Sequence, residues 1–162
     1  MTKNARRLVT LVAAMVMVFA MSITAFAAAP GTYATKLYGP TGTVMTHGNP
    51  ITGADVVYDQ ETDQTTITIY TIPMTVGSVS GSISSMTLVD IYNTATDEVA
   101  GTDISGDAGD PVTIDDVTYT PITFTLEEDF AAVGHTFNIS YSISMSSGIH
   151  RTSTGSLEIV AP

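Results

Sequence analysis

The last hairpin-like stretch of the chain carries the side chains best suited to binding. His150 and Arg151 are adjacent, and once the first 27 residues are removed Arg151 is one of two remaining Lys and Arg residues. An imidazole can ligate a metal, and a guanidinium pairs with carboxylates. The His–Arg pair therefore marks either a binding site or the exposed tip of a hairpin.

A second group of candidate ligands is acidic. Asp103, Asp107 and Asp110, with Asp115 and Asp116 beyond them, could converge on Ca²⁺, which takes six to eight oxygen ligands. Their spacing matches no EF-hand loop. The alternative is a polar surface loop in an acidic protein, and the sequence favours that interpretation.

Signatures of catalysis are sparse. The stretch GSVSG, residues 77–81, resembles a nucleophile elbow, but Val79 stands where the serine is needed. His47, His135 and His150 form no H-x-x-x-H or H-x-H pair. We therefore predict that the protein is not an enzyme.

The element that positions Tyr141 and Met145 is a strand. In FNISYSISM, residues 137–145, apolar and polar side chains alternate without a break, as in a half-buried antiparallel strand. Similar though weaker patterns predict further strands at residues 31–39, 54–59, 64–72, 81–92, 117–128 and 154–160. Strands at this spacing predict an all-β protein with a β-sandwich architecture.

Two connections between these strands are long. Residues 39–53 are predicted to form a loop with room for a short helical turn, and residues 93–111 a longer acidic loop. Loops of that length tend to be functional or mobile.

The first 27 residues have the features of a secretory signal peptide. Lys3, Arg6 and Arg7 precede an apolar run at residues 8–19, and Ala25-Phe26-Ala27 fits the small-residue cleavage rule. The run is short for a membrane span. We therefore predict a signal peptide over residues 1–27, a single domain over residues 28–162 and no membrane insertion after cleavage.

Composition narrows the classes of partner that the mature chain is expected to bind. Cleavage would remove three of the five Lys and Arg residues and none of the 16 acidic ones, so the net charge falls from −11 to −14. Such a chain repels nucleic acid and anionic membrane surfaces. The absence of cysteine excludes disulfides and thiolate metal sites.

The order of these stretches resembles the NEAT (near-iron transporter) family. GTYATKLYGPTGTVMTHGNP is similar to the family's first strand and short-helix loop, and the stretch from ADVVYD to SMTLVD is similar to its next three strands. ITFTLEEDF and HTFNISYSISMSSGIHRTSTGSLEIV resemble its closing strands and terminal hairpin. The resemblance implies an immunoglobulin-like antiparallel β-sandwich of about seven to eight strands, secreted or attached to the surface of a Gram-positive bacterium.

The resemblance also implies a ligand. Many NEAT domains bind haem for iron acquisition, and some bind haemoglobin or other host proteins, so haem or a haem-carrying host protein is the expected partner. Haem binders in the family use a Y-x-x-x-Y motif on the last hairpin. Here that motif is absent, and Tyr141 is followed by Met145 instead of a second tyrosine.

The resemblance thus assigns the haem site to Met45, Thr46, Tyr141, Met145, His150 and Arg151. Several alternatives stay open. Tyr141 suits a core position, Met45 suits a hydrophobic plug, and His150 suits an exposed hairpin. The whole chain could equally be a surface or adhesion module that has lost haem binding, or a calcium-stabilised carbohydrate-binding module.

Overall fold

The fold is built almost entirely from antiparallel strands. The computed structural model describes residues 30–45, 48–76, 78–93, 98–127 and 132–161. These residues form ten strands and no helix: β1 (Thr35–Tyr38), β2 (Ile51–Asp59), β3 (Gln64–Thr71), β4 (Met74–Val76), β5 (Val79–Asn93), β6 (Glu98–Ala108), β7 (Val112–Ile114), β8 (Val117–Glu127), β9 (Thr136–Met145) and β10 (His150–Ile159). The predicted signal peptide, residues 1–27, lies outside this range. Nowhere in the described chain is there a helix long and apolar enough to cross a membrane.

The strands form two layers that share one strand. The front sheet consists of β1, β10, β9, β5 and most of β6, with β4 paired to the start of β5. The back sheet consists of β2, β3, β8 and the last two residues of β6, and β7 pairs with the start of β8. A bridge between Tyr33 and Ala54 joins the other margins of the two layers. The predicted antiparallel β-sandwich is therefore confirmed.

Side-chain alternation decides which residues form the core. In β3, Thr65, Ile67, Ile69 and Thr71 are buried, and the residues between them are half-buried. The other large core side chains come from both sheets: Leu37, Ile83, Met86, Leu88, Phe137, Ile139, Tyr141, Leu157 and Ile159 from the front, and Ile51, Ile122, Phe124 and Leu126 from the back. Burial of these side chains is the main favourable term in folding.

Two predicted loops differ from the structure. Residues 93–111 were expected to form an acidic loop, but β6 occupies most of this stretch, because it can pair with β5 along one part and with β8 along another. Residues 39–53 were expected to form a loop with room for a short helical turn. In the described part of this stretch Val44 bridges to Tyr38, and β2 already begins at Ile51.

A glycine allows β6 to pass from one sheet to the other. Gly106 pairs with Met86 in the front sheet, one residue before β6 joins the back sheet. A Cβ atom at this position would lie 2.5 Å from Cε1 of Phe124 and 2.7 Å from Cγ2 of Ile122. The Phe124 ring therefore packs directly against the β6 backbone, and any side chain at position 106 would displace it.

We predict that Gly106→Ala lowers the free energy of unfolding by about 1–3 kcal/mol, the usual cost of overpacking a core. Urea denaturation measures this. Gly109→Ala is the matched control, since the atom nearest to the added methyl group is Cγ of Pro121, at 3.2 Å, against 2.5 Å at position 106. Equal stability of the two variants would contradict the proposed packing of Phe124.

A carboxylate fastens the segment before β1 to the back sheet. Oδ1 of Asp55 accepts hydrogen bonds from the backbone N–H and the hydroxyl of Thr32, both at 2.7 Å. Oδ2 accepts one from the Tyr70 hydroxyl at 2.9 Å. Burial alone would raise the pKa of Asp55, but the hydrogen bonds from Thr32 and Tyr70 outweigh it and leave the pKa below its usual value.

A carboxyl group with a lowered folded-state pKa stabilises the fold above its unfolded pKa of about 3.9, and this contribution is lost as pH falls through the folded pKa. We therefore predict that Asp55→Asn costs about 1 kcal/mol at pH 7, and that the difference from the unmodified protein shrinks below pH ~4. Urea denaturation at a series of pH values measures both effects. The exposed Asp110 supplies the control variant Asp110→Asn, and a constant Asp55→Asn deficit across that pH range would contradict the role of the charge.

Candidate functional site

An apolar groove lies at one end of the front sheet, between the β4–β5 and β9–β10 hairpins. Its volume is about 270 Å³. Its lining comes from these two hairpins: Met74, Val79, Ser80, Gly81, Ile143, Met145, Ser147, Ile149 and Arg151. It contains two of the residues predicted for the haem site, Met145 and Arg151.

The groove exists because the front sheet extends further than the back sheet. Along β9, Phe137, Ile139 and Tyr141 are buried, with at most 6% of each exposed, whereas Ile143 and Met145 on the same face are only half-buried. Of the described residues that line the groove, none belongs to β2, β3 or β8. The apolar face of β9 therefore continues past the strands that cover it.

Gly81 forms the floor of the groove. Strand register aligns Met74, Gly81 and Met145 across β4, β5 and β9, so these residues share one face. A Cβ atom at position 81 would lie 3.0 Å from Cγ2 of Ile143 and 3.6 Å from Cγ of Met145. The bare backbone at position 81 thus lets Ile143 pack closely against it, beside the two methionines.

Hydrogen bonds hold the two hairpins in place. The Ser146 backbone N–H donates to the Ser80 carbonyl at 2.8 Å, and the Ser80 N–H donates to the Ser146 hydroxyl at 3.3 Å. At the tip, the Met145 N–H donates to the Ile149 carbonyl at 2.9 Å, and Gly148 takes a positive φ of 78°. The groove walls are therefore fixed by backbone contacts, as in pockets that are formed before a ligand binds.

The groove lining includes both an exposed apolar side chain and a positive charge that is available to a ligand. Ile149 at the hairpin tip is 50% exposed. Arg151 is the register partner of Ile143 and is exposed. Within the described part of the chain Arg151 forms no salt bridge, whereas Lys36 pairs with Glu158 at 3.2 Å. A carboxylate on a ligand could therefore pair with Arg151 without breaking an existing ion pair.

His150 lies on the opposite face of β10 from Arg151. Its register partner is Ser144, whose hydroxyl is 3.0 Å from Nδ1 of His150. Successive residues of a strand point to opposite faces, so this imidazole is directed away from the groove. The adjacent pair in the sequence is thus divided between two surfaces.

The other predicted haem residues are also separated from the groove. Tyr141 is a member of the hydrophobic core. Met45 is half-buried, packs against that core, and donates its N–H to the Leu37 carbonyl at 2.8 Å. Thr46 lies outside the described residues.

The acidic candidates for calcium are spread along β6 and the turn after it. Asp103 and Asp110 are exposed, and Asp103 has a positive φ of 54°. The side chain of Asp107 is not among those described. In the described ranges no three His, Asp or Glu side chains are placed to hold a metal ion together.

Sequence reasoning missed most of the groove lining, notably Met74, Val79, Gly81 and Ile149. Two signals were present. Gly81 belongs to the GSVSG stretch, and Ile149 is an apolar residue within an otherwise polar hairpin turn. Neither signal locates a groove without the register between β5 and β9.

The comparisons with known proteins add no relative. No protein-family model, curated protein or solved structure matches the chain.

Proposed function

We propose that this protein is a secreted binding module whose groove holds a flat apolar ligand bearing a carboxylate, with haem as the leading candidate. The observation that carries the proposal is that thioether and aliphatic side chains line the same groove as Arg151, which has no salt-bridge partner in the described chain. The resemblance of the sequence to NEAT domains supports the choice of haem, and iron acquisition is the role that would follow.

The lining suits a porphyrin in three respects. Ile143, Val79 and Ile149 offer an apolar surface, Arg151 matches a propionate, and Met74 and Met145 offer thioethers. Methionine is a known axial ligand of haem iron. Among the residues first assigned to the site, we therefore propose Met145 as the iron ligand, in preference to His150 and Tyr141.

The size of the groove bears on how the ligand would be held. Its volume of about 270 Å³ lies just under the range of roughly 300–1,000 Å³ for sites that enclose a ligand. We propose that one edge of the porphyrin enters and that the rest stays accessible. An exposed edge would suit a protein that passes its ligand to a partner.

No catalytic role is proposed. The hydroxyls in the groove belong to Ser80 and Ser147, which are exposed, and the nearby His150 is engaged with Ser144 on the other face. A nucleophile needs a base within hydrogen-bond reach. The predicted export through residues 1–27 would place the module outside the cell, free or associated with the cell surface.

A second candidate function is the docking of a protein partner. Half of the Ile149 side chain is exposed at a hairpin tip held by backbone hydrogen bonds, and exposed apolar groups beside polar ones mark many interaction sites. An adhesion module of this kind would bind its partner through the groove and would leave hemin unbound. A hemin titration distinguishes the two functions.

We predict that hemin added to micromolar protein shifts its Soret band, and that Arg151→Gln weakens binding about tenfold, the usual effect of losing a hydrogen bond to a charged group. His150→Gln is the matched control from the opposite face and should leave affinity unchanged. A Soret shift that His150→Gln abolishes would contradict the proposed ligand assignment. Absence of any shift in the unmodified protein would remove haem as the ligand.

We further predict that Gly81→Val blocks hemin binding, because its side chain would fill the floor between Met74 and Met145. A Cβ atom at position 81 would lie 3.0 Å from Cγ2 of Ile143, so this half-buried side chain must shift slightly to admit valine, which is favoured in strands. Circular dichroism checks the fold, and the Soret titration checks binding. A folded Gly81→Val protein that binds hemin normally would place the site elsewhere.

A further inference from the structure

The outward face of the front sheet, opposite the groove, carries a regular array of hydroxyl groups. Register aligns Ser85, Ser142 and Thr152 in one row across β5, β9 and β10, and Thr87, Ser140 and Thr154 in the next. Neighbouring strands are about 4.8 Å apart, and alternate residues along a strand about 6.8 Å apart. The array is therefore a two-dimensional lattice of small polar side chains.

Strand propensity alone does not explain this composition. Threonine is favoured in strands, but serine is not among the favoured residues, and three of the six positions are serine. None of the six is charged, although the whole chain has a net charge of −11. These six positions are thus uncharged and rich in hydrogen-bonding groups.

A cleft of about 460 Å³ adjoins this array. A polar row crosses it: the Ser156 hydroxyl donates to Oδ1 of Asn138 at 3.1 Å, and Nδ2 of Asn138 donates to Oδ2 of Asp90 at 3.3 Å. Thr154 lines the cleft beside this row. The loop at residues 39–42 forms one wall, and Val89, the extra residue at a β-bulge in β5, lies on another side.

The chemistry of the cleft selects among ligand classes. Calcium needs six to eight oxygens, and among the described residues Asp90 is the single carboxylate that lines the cleft. That same charge disfavours anions. An added β-strand does not fit beside Asn138, because β9 is paired on both edges, with β10 and with β5. The row of polar groups, a carboxylate, a carboxamide and hydroxyls, suits the vicinal hydroxyls of a sugar. Pro40 and Val89 offer apolar contacts for the C–H groups of the sugar ring.

We propose that this cleft and the adjoining hydroxyl rows bind a neutral oligosaccharide. One sugar unit occupies the cleft at Asp90, Asn138 and Thr154, and neighbouring units lie along Ser140 and Ser142. From Asn138 to Ser142 the strand extends about 14 Å, which is longer than one sugar ring. The site is on the other face of the front sheet from the groove, so it does not depend on haem binding.

The test uses ¹⁵N-labelled protein and three neutral hexasaccharides: cellohexaose, chitohexaose and mannohexaose. We expect at least one to give saturable shifts at the amides of Asp90, Asn138 and Thr154. Thr154→Val removes one hydroxyl without changing side-chain shape and should weaken that binding about fivefold, the usual worth of one neutral hydrogen bond. The matched control is Thr123→Val, which alters an exposed threonine on the back sheet.

Three results would overturn the proposal: no shifts at these amides with any of the three sugars, shifts confined to the groove around Met145, or an equal loss of affinity in Thr123→Val. Because exposed valine is well tolerated in strands, both variants should fold, and the amide spectrum of each confirms it. A hemin titration of Thr154→Val separates this site from the groove. Hemin binding should be unaffected by the change, so failure of one site leaves the other proposal standing.

Discussion

The groove depends on one geometric constraint, the alternation of side chains along β9. Every second residue from Phe137 to Met145 is apolar, and the pleat of a strand puts all of them on one face. The back sheet covers the first three and leaves Ile143 and Met145 half-covered. Each Å² of apolar surface left exposed to water loses about 25 cal/mol of hydrophobic stabilisation. A bound ligand or partner that covers this surface could recover that free energy.

Glycine residues shape both the core and the groove. At Gly106 the missing side chain admits the Phe124 ring and lets β6 pass between the sheets. At Gly81 it lets Ile143 pack close to the β5 backbone. A close approach to bare backbone therefore packs the interior in one place and shapes the groove floor in another.

Much of the fold could be predicted from local patterns. The alternation of residues 137–145 predicted β9 and its apolar face, and the patterns of residues 54–59 and 64–72 predicted β2 and β3. The prediction missed β6, because its glycines and aspartates are typical of loops when their tertiary contacts are unknown. It also missed β4 and β7, since three-residue strands are too short to show a period.

The candidate site was harder to predict, because it depends on register between distant strands. Met145 and Arg151 were identified from their hairpin, but Met74 and Gly81 reach the groove only through the pairing of β4, β5 and β9. Two irregularities in the β5–β9 register shift the faces of β5, and no local pattern reveals them. The register of β10 against β9 also decides which face each side chain takes. Arg151 pairs with Ile143 and faces the groove, whereas His150 pairs with Ser144 and does not.

The most direct test of the groove is an NMR titration of protein labelled with ¹³C at the methionine methyl groups, using hemin as the paramagnetic probe. The account predicts that the Met74 and Met145 signals broaden together, while Met45 and the buried Met86 are unaffected. Broadening at Met45 with unchanged Met74 and Met145 would contradict it and place the ligand at the other end of the sheet.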